Sequence, residues 1–224
     1  MLRTLPLVAF ASFMLVSFSP GQDAKTGVAV DKEKKSVSIE AKIAPRKLAN
    51  LTEIYPIELI AGWGHPKGKK AHETVVTLEA NPSDVHKALV EIGLKPGKPA
   101  KGEGTEAVGP DVAVFIEVTV DGATKRLSPD KFLMDPKTKK PFPKGVKFRF
   151  TGSVDSQVAP DKPEKKYGAD LSGTLIVIFP VTDETVLQSS LTMKDEKYLK
   201  LETNKDALPK EGTAVKLVIE AAGK

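Results

Sequence analysis

Between Val112 and Val120 every second residue is β-branched: Val112, Val114, Ile116, Val118 and Val120. Such a period of two puts all five side chains on one face of a strand, and no helix can do that. The pattern recurs at Val37, Ile39, Ala41 and Ile43, at Val146, Phe148 and Phe150, and at Val215, Leu217, Ile219 and Ala221. Asp121-Gly122 then joins the longest run to Thr124–Leu127, a tight-turn signal between two strands. Val28 and Val30, a charged loop over 31–35, and the 37–43 run read as a second hairpin. Leu175–Phe179 is apolar at consecutive positions, which predicts a central strand buried on both faces.

Other segments are less regular. Pro56 interrupts the apolar stretch 54–61, predicting an edge or broken strand. Gly62–Ala71 reads as a Gly/Lys loop and His72–Ala80 as a strand. One helix stands out, over about 82–93. Asn81 suits its N-cap, Pro82 its first turn and Gly93 its end, and Val85, Ala88, Leu89 and Ile92 form one apolar stripe. The 95–110 stretch is a surface loop or lid, Ser128–Met134 holds a short helix, and 158–168 is a charged connector. Leu191–Met193 and Tyr198–Glu202 are short segments without a sustained pattern. The expected fold is α+β, mostly β: a single domain of mainly antiparallel strands with one well-defined helix.

The first 21 residues read as a signal peptide, with Arg3 ahead of an apolar run from Leu5 to Phe18 and Ser19-Pro20-Gly21 as the cleavage site. That run is too short for a relaxed membrane span, and no later stretch approaches one. The mature chain, 22–224 with its core at about 28–222, is therefore expected outside the cytoplasm, in the periplasm or secreted. Asn50-Leu51-Thr52 is a glycosylation triplet, meaningful only in a host that glycosylates there. The chain contains no cysteine, which excludes disulfides, thiolate metal sites and cysteine nucleophiles. The net charge of +5 is carried mainly by lysine, with arginine only at positions 3, 46, 126 and 149. Nucleic-acid readers favour arginine forks and stacking aromatics, so no nucleic-acid partner is expected.

Catalytic motifs fail one by one. His72-Glu73 opens like a zinc-protease helix, but Val76 stands at the second histidine position. The glycine-rich 62–70 stretch lacks the phosphate-loop spacing, and no Gly-x-Ser-x-Gly elbow occurs. The histidines at 65, 72 and 86 lie close in sequence. A metal-assisted hydrolase built on them is one reading. Against it, adjacent His72 and Glu73 on a strand would point to opposite faces, and His86 lies off the helix's apolar stripe as a solvated residue. Trp63, the single tryptophan, is either a binding aromatic or a packing anchor.

The runs Lys70-Ala71-His72-Glu73-Thr74, Ala80-Asn81-Pro82-Ser83-Asp84-Val85-His86-Lys87-Ala88-Leu89 and Gly93-Leu94-Lys95-Pro96-Gly97 resemble the YdjY-domain family, as does the closing Leu208–Val215 stretch. That family is found among exported bacterial proteins, many of planctomycete type. The resemblance implies an exported single domain and points to Lys70, His72 and Glu73, but brings no established activity. Iron–sulfur centres linked with some relatives would need cysteine ligands, which this chain lacks. Neither a cofactor nor a metal is assigned. The expected function is a non-enzymatic binding or envelope-associated module. Its candidate ligand residues are Trp63, Lys70, His72, Glu73, Asn81 and His86. Lys70, His72 and the helix amides would hold a small anion, or the partner is an envelope protein. The alternatives are the hydrolase and a purely structural surface protein.

Overall fold

A computed structural model describes residues 22–23, 27–51 and 53–223. The signal-peptide reading of 1–21 and the last residue of the 50–52 triplet lie outside those residues.

The chain opens with β1 (Gln22–Asp23), β2 (Val28–Asp31) and β3 (Ser36–Ile43). After an irregular stretch come β4 (Leu59–Trp63), a 3-10 turn over Ala71–Glu73, β5 (Thr74–Leu78) and helix α1 (Pro82–Glu91). The long strand β6 (Asp111–Val120) turns through Asp121-Gly122 into β7 (Ala123–Leu127). Helix α2 (Pro129–Phe132), β8 (Leu133–Met134), β9 (Phe148–Phe150), β10 (Asp155–Gln157), β11 (Lys165–Tyr167) and α3 (Gly168–Ser172) follow. The last third contributes β12 (Thr174–Val177), β13 (Leu187–Ser189), α4 (Met193–Tyr198), β14 (Glu202–Thr203) and β15 (Ala214–Ala221).

Eight of these strands close on themselves in the order β3, β15, β6, β9, β13, β12, β4, β5 and back to β3. Closure leaves no edge in that ring. Most pairs are antiparallel, and β12–β13 and β4–β5 are parallel. The ring is filled by the alternating residues of the sequence pattern. Ile39, Leu217 and Ile116 lie side by side on β3, β15 and β6, all fully buried. β12 is buried at all four positions, as its continuous apolar run requires. The fold is thus mostly β with few helices, as the patterning implied.

Helix α1 packs on β2, β3 and α3, with Val85, Ala88, Leu89 and Ile92 in the core. Its end is a Schellman motif: Gly93, at φ +92°, donates to Val90 and Leu94 donates to Leu89. Its start differs from expectation. The Asn81 side chain caps no helix amide and instead donates to Asp84 at 3.2 Å, while the Ser83 N–H donates to Asp170 of α3 at 2.9 Å.

Several boundaries move. β4 begins three residues past Pro56, so it avoids the missing N–H and sits centrally between β5 and β12. Gly62 and Trp63 close β4 and do not belong to the following loop. The 158–168 connector is part of the hairpin β10–β11, and residues 193–198 are helical. The 95–110 loop is stitched down: Gly97 donates to Phe150, Gly102 to Pro180, and the buried Gln188 side chain holds both main-chain groups of Ala100. Among the described residues no helix is long and apolar enough to cross a membrane.

Candidate functional site

The six candidate residues fall into two groups at opposite ends of β5. Leu59 pairs with Thr74 and Trp63 with Leu78, so about 13 Å of strand separates the two ends. Lys70, His72 and Glu73 lie before the first end, while Trp63, Asn81 and His86 belong to the second. A single pocket combining Lys70 and His72 with the amides of α1 is therefore absent among the described residues.

At the first end, the predicted strand is a 3-10 turn over Ala71–Glu73, and this reverses one expectation. His72 and Glu73 do not diverge: Nε2 of His72 lies 3.2 Å from Oε1 of Glu73. The Lys70 ammonium bridges two carboxylates, Glu73 at 2.6 Å and Glu58. Burial works against that ammonium, but the two acids outweigh it and raise its pKa above the usual lysine value. Glu58 shows the other side of the competition. Burial pushes its carboxyl up, Lys70 offsets only part, and Glu73 adds repulsion. Tyr55 meets the His72 ring edge-on at 5.3 Å between centroids.

Beneath this cluster sits Arg46, only 4% exposed. Its guanidinium donates to the main-chain carbonyls of His72 and Tyr55 and forks onto Glu202, with Nε 2.8 Å from Oε1. Burial opposes ionisation of Glu202, yet Arg46 and the Thr203 N–H together hold its carboxyl below the ordinary range. Arg46, Tyr55, Glu58 and Glu202 were not singled out from sequence. The scarcity of arginine was the available hint, since a fork buried against a carboxylate is a role lysine fills poorly. The cluster can hold protons and fix main chain, and it lines neither the groove beside Asn81 nor the cleft beside Val114.

At the second end Trp63 is a packing anchor, 7% exposed, with Nε1 donating to the Ala80 carbonyl at 2.8 Å. Lys67 caps the ring at 3.5 Å, and Gly173 approaches so closely that a Cβ there would sit 2.6 Å from the indole. His86 is half-buried instead of fully solvated. Its ring packs edge-on to Phe150 and Tyr167, and Nδ1 lies 2.7 Å from the Tyr167 hydroxyl. That hydroxyl also accepts from the Ser153 N–H, and the proton shared with His86 sits on one or the other according to the ring's tautomer. Burial, with Lys87 adding repulsion, lowers the His86 pKa, and burial raises that of Tyr167. His65 stands apart in an exposed turn. No group of three or more His, Asp or Glu side chains among the described residues is placed to hold a metal ion, so the three histidines do not converge.

Asn81 also borders the larger groove, about 800 Å³ on the outer wall of the barrel. Its floor carries a charge row across the sheet: Lys216 lies between Glu40 and Glu117 in the strand register. Glu79 and Asp84 rise on one side, and Thr119 and Thr124 of the β6–β7 hairpin on the other. Asp84 is paired with Lys87 and Glu117 with Arg126, whereas Glu40, Lys42, Glu79 and Lys216 belong to none of the ion pairs among the described residues.

A closed eight-stranded barrel, one end overlaid by a helix and one wall carrying a polar groove, is the class of protein defined so far. The YdjY domain model matches residues 28–220, and the chain belongs to the YdjY-domain family. No curated protein and no solved structure matches the chain.

Proposed function

We propose that this protein is an exported, non-enzymatic binding or envelope-associated module, and that its partner occupies the groove beside Asn81. The observation that carries this reading is the contrast in pairing. The groups first suited to hold an anion are occupied by the protein's own acids: Lys70 by Glu58 and Glu73, and the Ser83 amide of α1 by Asp170. A free anion would have to displace covalently tethered carboxylates at each place. The groove is different, because Glu40, Glu79, Lys42 and Lys216 face it without ion-pair partners among the described residues.

Four acids against two lysines line that groove, so it suits a polar partner surface carrying cations better than the small anion expected at first. Its volume is in the range of recognition clefts.

The test places a photo-crosslinking residue at Lys216 and, as a control, at Lys162 on the β10–β11 hairpin, in cells exporting the full chain. The expected result is an envelope adduct from position 216 that disappears with Glu79→Lys plus Glu117→Lys, together with a mature N-terminus at Gln22. Equal adducts from both positions, or adducts indifferent to the double substitution, would overturn the groove assignment. Retention in the cytoplasm would overturn the export.

A further inference from the structure

We propose a second binding site, independent of that groove: the cleft where β6 changes neighbours takes the C-terminal residues of an extended polypeptide. The argument starts from main-chain hydrogen bonds. The Pro110 carbonyl accepts from Phe150 on the β9 side, and the Asp111 carbonyl accepts from Ala222 on the β15 side. Successive residues of a strand turn their N–H and C=O to opposite edges. Even-numbered residues of β6 therefore face away from β15. Val112 meets Phe148 of β9, and Ile116 meets Leu127 of β7. Val114 lies between them, and no group among the described residues pairs with its N–H or C=O on that edge.

The gap has a cause. Past Leu127 the chain continues through Ser128 into Pro129, which has no N–H to offer. Before Phe148, Lys147 continues the β9–β13 ladder onto Ser190, whereas Val146, whose groups would face Val114, leaves the Lys144-Gly145 turn, with Gly145 at φ +88°, without a main-chain bond to β6 among the described residues. The two flanking chains thus peel apart and become the walls of a cleft of about 480 Å³.

Unpaired main-chain groups beside buried apolar surface are rare in folded proteins and call for a partner. The Val114 side chain points into the core, so what Val114 presents to the cleft is its backbone. Phe115, Phe142 and Val146 supply apolar walls. Lys144 stands at the rim, left out by the neighbouring ion pairs Lys131–Asp130, Lys147–Asp111 and Arg149–Asp111. One donor and one acceptor match one residue of an extended peptide, the walls match an apolar side chain, and the Lys144 ammonium, in no ion pair among the described residues, matches a terminal carboxylate. The gap between the Val112–Phe148 and Ile116–Leu127 pairings holds the bonding groups of one residue, which suits the last residue of a chain entering from the outer face and excludes a long added strand.

The test titrates the full-length protein with fluorescein-labelled hexapeptides ending in a free carboxylate and carrying Leu, Phe or Val in the last two positions. Binding is expected for at least one apolar series, weakened tenfold or more by C-terminal amidation, by methylating the peptide nitrogen that faces Val114, and by Lys144→Glu. Ala113→Trp fills the cleft from the outer face and is expected to abolish binding while the circular dichroism stays unchanged. Amide exchange gives a second readout. The Val114 amide should exchange faster than those of Val112 and Ile116 in the free protein and become protected with peptide. No binding by any peptide, binding indifferent to Ala113→Trp or to amidation, or a Val114 amide protected in the free protein would each overturn the proposal. A mass that doubles with concentration and is lost in Ala113→Trp would overturn it in favour of a second copy as occupant.

Discussion

β3 and β6 flank the same strand, β15, and each serves two neighbours along its outer edge. β3 passes from β2 to β5, and β6 from β9 to β7. The β3 seam is filled: Glu40 donates to Gly27 at 2.9 Å, and beyond the strand Ala44 donates to Val75. The β6 seam is open at Val114. The inner faces are alike, with Ile39 and Ile116 both against Leu217, so the difference lies wholly in what the neighbouring chains do next. Where a neighbour turns inward, the seam becomes core. Where a proline withholds its N–H on one side and a turn at Lys144-Gly145 carries the chain off on the other, it becomes a cleft.

The largest effect is expected just past the β3 seam. Arg46→Met strips Glu202 and two carbonyls of a buried partner, and urea denaturation should show a loss of about 3–5 kcal/mol. Ile39→Ala and Ile116→Ala should each lose about 2–5 kcal/mol, and nearly equally, because the two positions are equivalent inside the barrel. A gap of several kcal/mol between them in the same assay would mean that the open seam weakens the core beneath it. Smaller is the contrast in amide exchange: Glu40 should be protected about 100-fold more than Val114. Equal protection would erase the distinction between the seams.

The smallest effect concerns pH. The His86 pKa is lowered in the folded state, chiefly by burial, so below about 6.5 the unfolded chain binds more protons than the native one. Stability should fall as pH drops through that value and level off below the folded pKa. In His86→Gln this component of the slope should vanish. An unchanged slope in denaturation midpoints between pH 7.5 and 5 would show that the Tyr167 contact does not require the neutral ring.

Much of the barrel was legible because its long strands announce themselves locally. Val37–Ile43, Val112–Val120 and Val215–Ala221 carry their period within one segment, and α1 carries its stripe and stop signal. Helix α4 had a readable signal that went unused: Thr192 stands three residues before Asp195, whose carboxylate accepts the Thr192 N–H at 2.7 Å. The candidate site was half legible. Lys70, His72 and Glu73 do converge, since three of four consecutive residues on a tight turn must lie close together. Their partners Glu58, Arg46 and Glu202 come from other segments, and no local pattern announces which acid will face which base.

The residues alone settled the long alternating strands, where α1 would run and which of their faces would be apolar, because side-chain periodicity and turn chemistry act over a few residues. Assembly settled the rest: the parallel pairs β4–β5 and β12–β13, the Asp170 cap on α1, the Arg46–Glu202 fork and the two seams of the barrel. Each of these joins groups far apart in the chain. Their energies depend on a register and a burial that exist only once the ring has closed.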